Sequence, residues 1–360
     1  MIKAGITHGD INGIGYEVIL KTFESEEMLD ICTPVIYGSP KVATFHRKAT
    51  ENQTNFIVRN SISEIKDRSV NMINCFGEEE IKVEFGQPTA EKDEVARRAL
   101  DAAIADIQAE NIDVLVAAPC TFSTGESANQ IDYICKQIKS ESAPLTILQS
   151  EGLRITSVTE NIPINKVAGT ITKELLQSRV KILNDTLQRD FRIEKPRIAI
   201  IALNPKDGEG EFAGTEEKEI IAPTVKELFD NGTLCFGPYP SDYIFSNGNF
   251  SRFDAILTMY YDQAVAPFTA LTNGEGIKYY AGLPVVATSP AHDAAYGIAG
   301  KGVASETAFR NAIYAAIDAF RSRKQFDEIH SNPLRKQYYE KRDDSDKLKL
   351  DQITEEEETF

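Results

Sequence analysis

Histidine is scarce in this 360-residue chain, present only at His8, His46, His292 and His330, and tryptophan is absent. The four histidines show no i,i+4 or His-x-His spacing, so the sequence offers little from which to assemble an imidazole metal site. Positive charge is short as well. With 39 Lys and Arg against 55 Asp and Glu, the formal net charge is −16, which excludes a nucleic acid or an anionic membrane as the main partner, since both need clustered cations. The five cysteines (Cys32, Cys75, Cys120, Cys135 and Cys235) contain no Cys-x-x-Cys pair. An odd count without pairing reads as reduced thiols in a cytoplasmic protein. Cys120 stands at a strand end, but no histidine lies near it in sequence to activate a nucleophile. Apolar runs such as Ile198–Leu203 are far short of the ~18–20 residues that span a bilayer. The first residues enter a strand pattern without the features of a secretory signal.

What the chain does have is alternation. Short β-rich runs at Ile2–Thr7, Pro34–Tyr37, Val70–Cys75, Asp113–Ala117, Ile155–Thr159, Arg197–Leu203 and Ala255–Met259 alternate with helical periodicity, the pattern of an α/β protein with a largely parallel sheet. The clearest helix is predicted over Glu91–Glu110, where Val95, Ala99, Ala103 and Ile107 recur every four positions. Further helices are predicted at Lys173–Leu187, Glu216–Asn231 and Ser305–Phe320. The expected organisation is two α/β lobes around a cleft: residues 1–125 with 290–345 form one, 126–289 the other, and 346–360 an acidic, disordered tail.

Four polar segments follow or interrupt these runs. Gly9-Asp10…Gly13-Ile14-Gly15…Glu17 is neither a Walker loop nor a dinucleotide fingerprint, and reads equally as a structural turn or a binding loop. Asn204-Pro205-Lys206…Gly208-Glu209 and Tyr260-Tyr261-Asp262-Gln263 sit at strand ends, where α/β sheets bind ligands. The last spans Gly282-Leu283-Pro284 through Thr288, Ser289 and His292. A lone histidine such as His292 is more often a hydrogen-bonded structural residue than a catalyst.

Together with Gly237-Pro238…Asp242, these segments resemble the 4-hydroxythreonine-4-phosphate dehydrogenase family of pyridoxal phosphate biosynthesis over roughly residues 3 to 350. The resemblance implies an isocitrate/isopropylmalate-dehydrogenase-like α/β fold and a homodimer with its cleft at the interface. It also implies NAD- and metal-dependent oxidation and decarboxylation of a small phosphorylated or carboxylated metabolite. In the family pattern three histidines hold a divalent metal. Their positions are occupied here by Asn161, Lys206 and Tyr261, so a divalent metal is not expected, whereas NAD stays open. Basic or polar positions of the family's substrate side fall on Thr269, Lys278 and Ala287, and its Gly-His-Thr-Glu segment on Asn129-Gln130-Ile131-Asp132. Neither an ammonium nor a protonated phenol is a good divalent-metal ligand.

The residues expected to carry any remaining chemistry are Asp262, Lys206 and Asp242, with Lys206 supplying a fixed positive charge near Asp262. Asp10, Asn204, Glu209, Gln263, Lys278, Thr288, Ser289 and His292 are expected to line the cleft. Two readings stand: an enzyme with altered, metal-free chemistry, or a catalytically degenerate paralogue that binds a ligand or pairs with a related chain.

Overall fold

The computed structural model describes residues 1–122, 127, 129–140, 143–208 and 214–332. In chain order its strands are β1 (Lys3–Thr7), β2 (Thr33–Gly38), β3 (Ile57–Arg59), β4 (Asn71–Asn74), β5 (Val114–Ala117), β6 (Leu145–Ser150), β7 (Leu153–Thr159), β8 (Ile198–Ile201), β9 (Cys235–Tyr239), β10 (Ala255–Tyr260), β11 (Ile277–Ala281) and β12 (Ala287–Pro290). They form one 12-stranded sheet in the order β3-β4-β2-β1-β5-β12-β11-β6-β7-β10-β8-β9. All seven expected strands are present. The central ones, such as β1, β2, β5 and β8, are buried on both faces, which is why each reads as an unbroken apolar run.

The sheet changes direction in its middle. From β3 to β12 every pairing is parallel. Strand β11 runs antiparallel to both β12 and β6, and β6 is antiparallel to β7. From β7 to β9 the pairings are parallel again. The two parallel groups therefore run in opposite directions, and their C-terminal ends emerge at opposite edges of the sheet.

Helices cover both faces. The Glu91–Gln108 helix buries Val95, Ala99, Ala103 and Ile107 as its periodicity requires, and Ala96, Leu100 and Ile104 widen the stripe. The predicted Ser305–Phe320 helix starts at Thr307 and continues to His330, with Phe309, Ala312, Ile313, Ala316 and Ile317 in the core. Thr172 caps the Lys173–Arg189 helix by accepting from the Leu175 amide, and Asn129 caps Gln130–Ile138 through the Asp132 amide.

The segment expected as one helix over Glu216–Asn231 is a wide π-turn at Glu217–Ile221 followed by an α-helix from Ala222 to Asp230. The π-turn has a use. It sends the Glu217 carboxylate back to accept from the backbone N–H groups of Leu203 and Asn204, both at 2.8 Å. The expected acidic tail at 346–360, and residues 123–126 at the expected lobe boundary, lie outside the described residues.

Candidate functional site

Three strand ends come together first. Thr159 of β7 is in register with Tyr260 of β10, and β10 pairs with β8, so Asn161, Tyr261 and Lys206 follow the ends of three adjacent parallel strands. Asn161 and Lys206 are exposed, each with left-handed backbone (φ 51° and 55°). Tyr261 opens the Tyr261–Thr272 helix and is 38 % exposed. Burial raises its phenol pKa, and Glu160 and Asp262 raise it further, so the ring keeps its proton. Among the described residues no group of three or more His, Cys, Asp and Glu side chains is arranged to hold a metal ion. An amide, an ammonium and a protonated phenol do not fit the divalent ion that the three-histidine pattern implies.

Several polar residues singled out in the sequence are committed to structure. The Gln263 side chain accepts from the Met259 amide and donates to the Ala202 carbonyl and the Ser241 hydroxyl, tying β10, the end of β8 and the Ser241–Phe245 turn together. Asn204 donates to Glu216 and Glu217. Thr288 is fully buried beneath the Thr307–His330 helix, where its hydroxyl donates to the Ala312 carbonyl; it faces that helix rather than a cleft. Asp242 is exposed and accepts from the Tyr243 amide. Asp262 is exposed beside Tyr261, and among the described residues neither it nor Lys206 takes part in an ion pair. Glu209 lies outside the described residues.

The glycine-rich loop after β1 resolves as a packing device. Four of its amides are already used: Asp10 donates to Pro119, Gly13 to Asp10 and Ile14 to Ala294, while Asn12 donates to the Asp10 carboxylate. A Cβ on Gly9 would stand 2.5 Å from the Pro119 carbonyl oxygen, and one on Gly15 2.0 Å from that of His8. The glycines let backbones touch. Asp10 anchors this hub. Its carboxylate accepts from the Tyr296 hydroxyl at 2.5 Å and lies 3.4 Å from Lys92 Nζ, which also pairs with Asp93 at 2.9 Å and donates to the Thr121 carbonyl. Burial pulls the Lys92 ammonium down, but Asp93 and Asp10 outweigh it and its pKa rises. Cys120, nearby, is pushed up to about 12 by burial; it is a buried thiol and not an activated nucleophile.

A second polar cluster crosses the sheet face along β11. Lys278 pairs in register with Leu148 of β6 and Ser289 of β12. It is half-buried, and among the described residues it has no ion pair or hydrogen bond. Burial lowers its pKa, opposed by the charges of Glu160 and Asp293. Two positions along the strand, burial raises the phenol pKa of Tyr280, and the charges of Glu160, Tyr261 and Cys120 raise it further. Glu160, one residue before Asn161, accepts from the amide (3.2 Å) and hydroxyl (3.0 Å) of Thr146. Burial raises its carboxyl pKa against those bonds and Arg179. Arg179 itself pins the end of β7 to the start of β6 through the Val158 and Pro144 carbonyls. His292 donates from Nδ1 to the Asp293 carbonyl, leaving Nε2 buried with no partner. Of the residues singled out in the sequence, this cluster unites Lys278, Ser289 and His292. Glu160 and Tyr280 join it without standing out in the sequence. The only sequence signal for Glu160 is a carboxylate set directly against a family ligand position.

Two grooves of about 740 and 780 Å³ flank Pro284 and Arg323. Apart from the Gly282-Leu283-Pro284 turn, neither is lined by a segment singled out in the sequence for chemistry. The second lies against Asp113 and Val286, at the edge of the sheet opposite Asp10.

The architecture is the isocitrate/isopropylmalate-dehydrogenase-like α/β fold: a solved structure from Klebsiella pneumoniae, 4-hydroxythreonine-4-phosphate dehydrogenase, superposes with a TM-score of 0.75 at 22 % identity over 89 % of this chain and 98 % of that one. The enzyme of the same name from Burkholderia phymatum gives 0.70 at 27 % identity, over 89 % and 98 %. Residues 30–316 match the family model described as pyridoxal phosphate biosynthetic protein PdxA, and the chain belongs to that family. It is 50 % identical to the 4-hydroxythreonine-4-phosphate dehydrogenase of Bacteroides thetaiotaomicron over 98 % of both chains. To that of a Sulfurihydrogenibium species it is 31 % identical, over 90 % of this chain and all of the other.

Proposed function

We propose that this chain uses the family's cleft to take up a small phosphorylated or carboxylated metabolite, without the three-histidine metal and without the metal-dependent oxidation and decarboxylation. The observation that carries the reading is the donor set at the ends of β7, β8 and β10. Asn161 offers one weak amide oxygen, Tyr261 a protonated phenol, and Lys206 a cation that repels a second cation. In the family reaction a divalent ion acts as the Lewis acid for the developing oxyanion. Here no residue of the set replaces that Lewis acid, and the ammonium group of Lys206 supplies a fixed positive charge instead. NAD enters from the family resemblance alone, and four amides of the glycine loop after β1 are already engaged within the fold. The working unit is proposed to be a homodimer.

The experiment compares the native chain with the triple substitution Asn161→His, Lys206→His and Tyr261→His. The native chain is expected to bind no stoichiometric zinc and to form no NADH from phosphorylated hydroxythreonine, while phosphorylated hydroxy acids raise its Tm. The triple variant is expected to bind zinc. EDTA-sensitive NADH formation by the native chain would overturn the reading.

A further inference from the structure

We propose that the β9 edge of the sheet carries a small-ligand site of its own, an arginine–aromatic pocket that takes a single planar ring bearing a phosphate or carboxylate. The inference stands apart from the reading of a metal-free cleft, and the pocket shares no lining residue with Asn161, Lys206 and Tyr261. Strand β9 is the last of the sheet and pairs with β8. Ala199 and Ile201 of β8 are separated by one residue, but their partners Phe236 and Tyr239 are separated by two. Residues three apart on a regular strand face opposite sides; the extra residue of this bulge turns Tyr239 to the side of Phe236.

Both rings line a cavity of about 210 Å³. Phe253, just before β10, extends the wall, its ring centre 6.1 Å from that of Phe236 and 5.8 Å from that of Tyr239. Tyr243 adds a fourth ring, 5.7 Å from Tyr239. The Asn249 carboxamide donates to the Tyr243 carbonyl at 2.9 Å, which ties the Asn249–Arg252 turn to the Ser241–Phe245 turn. A row of tilted rings around a cavity is a surface on which a planar ligand stacks.

Two guanidinium groups give the pocket its sign. Arg197 stands with its guanidinium carbon 5.7 Å from the Phe253 ring centre, and Arg252 lines the same cavity. Among the described residues neither side chain has an ion pair or a hydrogen bond, and no carboxylate lines the cavity. Asp254, the carboxylate beside Phe253, accepts from the backbone N–H of Arg197 at 2.8 Å instead. In a chain of net charge −16, a lining with two cations and no acid is a place where an anion can settle. Guanidinium forks suit a phosphate or carboxylate, and the rings beside them suit the group that carries it. Size sets the remaining limit. Drug-sized ligands fill roughly 300–1,000 Å³, so a cavity of about 210 Å³ admits one substituted ring and excludes a dinucleotide.

The test uses the full chain with phenyl phosphate and benzoate as probes, and with inorganic phosphate and phenol as the anion and the ring alone. In isothermal titration calorimetry the tighter aryl anion should bind once per chain with a Kd on the order of 10⁻⁴ M, the strength open to a ligand of about ten heavy atoms. Phosphate and phenol should each bind at least roughly tenfold more weakly. Because the chain has no tryptophan, Tyr243→Trp places a sole indole in the wall, at a position already 45 % exposed. The aryl anion should quench its fluorescence over the same concentration range. Arg197→Met combined with Arg252→Met should reduce the aryl anion to the affinity of phenol; both side chains are exposed, and circular dichroism establishes that the variant folds. Phosphate or phenol binding as tightly as the aryl anions overturns the site, as does binding that survives the loss of both arginines. An aryl anion that binds without changing the indole signal overturns it too, and so does the absence of binding up to ~10 mM. The indole reporter leaves both arginines in place, so the site remains testable if the double variant fails to fold.

Discussion

Lys92 and Lys278 are both drawn in from solvent, on the two sides of the point where the sheet reverses, and they do opposite things. Lys92 is 2 % exposed and flanked by Asp10 and Asp93. Its charge is locked in place, and with it the loop after β1, the start of the Glu91–Gln108 helix and, through Asp10, Tyr296. Lys278 is half-buried and unpaired, and the nearest carboxylates reach it only through space. Burial alone thus does not sort a lysine whose charge is locked from one whose charge is not; the partner does. The charges of the first neighbourhood are paired, although His8 Nε2 and His46 Nδ1 are buried there without partners; the second leaves Lys278 unpaired, and His292 Nε2 is again without a partner.

The largest expected effect tests how closed the first neighbourhood is. His8 and His46 are fully buried there, held down by burial to about 3 and about 4, with His46 bonded to the Ile11 carbonyl of the glycine loop. The unfolded chain takes up protons near pH 6.5 and the folded one does not, so their stabilisation is complete above that pH and is lost as pH falls toward 4 and 3. Urea titrations at pH 7 and pH 4 should differ by about 6 kcal/mol, since each histidine contributes roughly 1.4 kcal/mol for every pH unit crossed between its unfolded and folded pKa. An equal stability at the two pH values would break the account of a closed hub.

Next in size is the pair of substitutions that sets the lysines against each other. Lys92→Met leaves two buried carboxylates without their cation and should cost about 3–5 kcal/mol. Lys278→Met removes an unpaired charge and should cost less than about 1 kcal/mol or be neutral. If chemical denaturation gave equal losses, the distinction between the lysines would fail. A smaller effect sharpens it: Tyr296→Phe deletes one hydrogen bond to the Asp10 carboxylate and should cost roughly 1–3 kcal/mol, visible as a lower Tm.

Legibility in the sequence follows the same division. Strands buried on both faces, such as β8 with Ile198 to Ile201, announce themselves as apolar runs. Strands β11 and β12 are equally central but do not show in the apolar pattern, because Lys278, Thr288 and Ser289 interrupt them. Those polar residues belong to the cluster along β11 or to hydrogen bonds under the last helix, and local pattern cannot distinguish them from a loop. The strand ends at Asn161, Lys206 and Tyr261 are readable because their flanking frames are intact. Asn204 and Gln263 read as ligand groups, and in the fold their amides are engaged by neighbouring backbone and side chains. Short polar residues at strand ends serve both purposes, and only the partners tell which. The Lys92–Asp10–Tyr296 network is not legible at all, since its members come from segments far apart in the chain.

The pairing of Ala287 with Leu115 has a consequence for how the chain assembles. Strand β5 is synthesised early, yet its neighbour β12 arrives only after the whole second group of strands. Until then β5 is an edge, with open backbone groups and the apolar residues Val114, Leu115 and Val116 beside them. Closure across so many residues is slow, and an unpaired apolar edge invites pairing with other chains in the meantime. The pairing of β12 with β5 and of β11 with β12 is thus the long-range closure that joins the two halves of the sheet and seats Lys278 at the join.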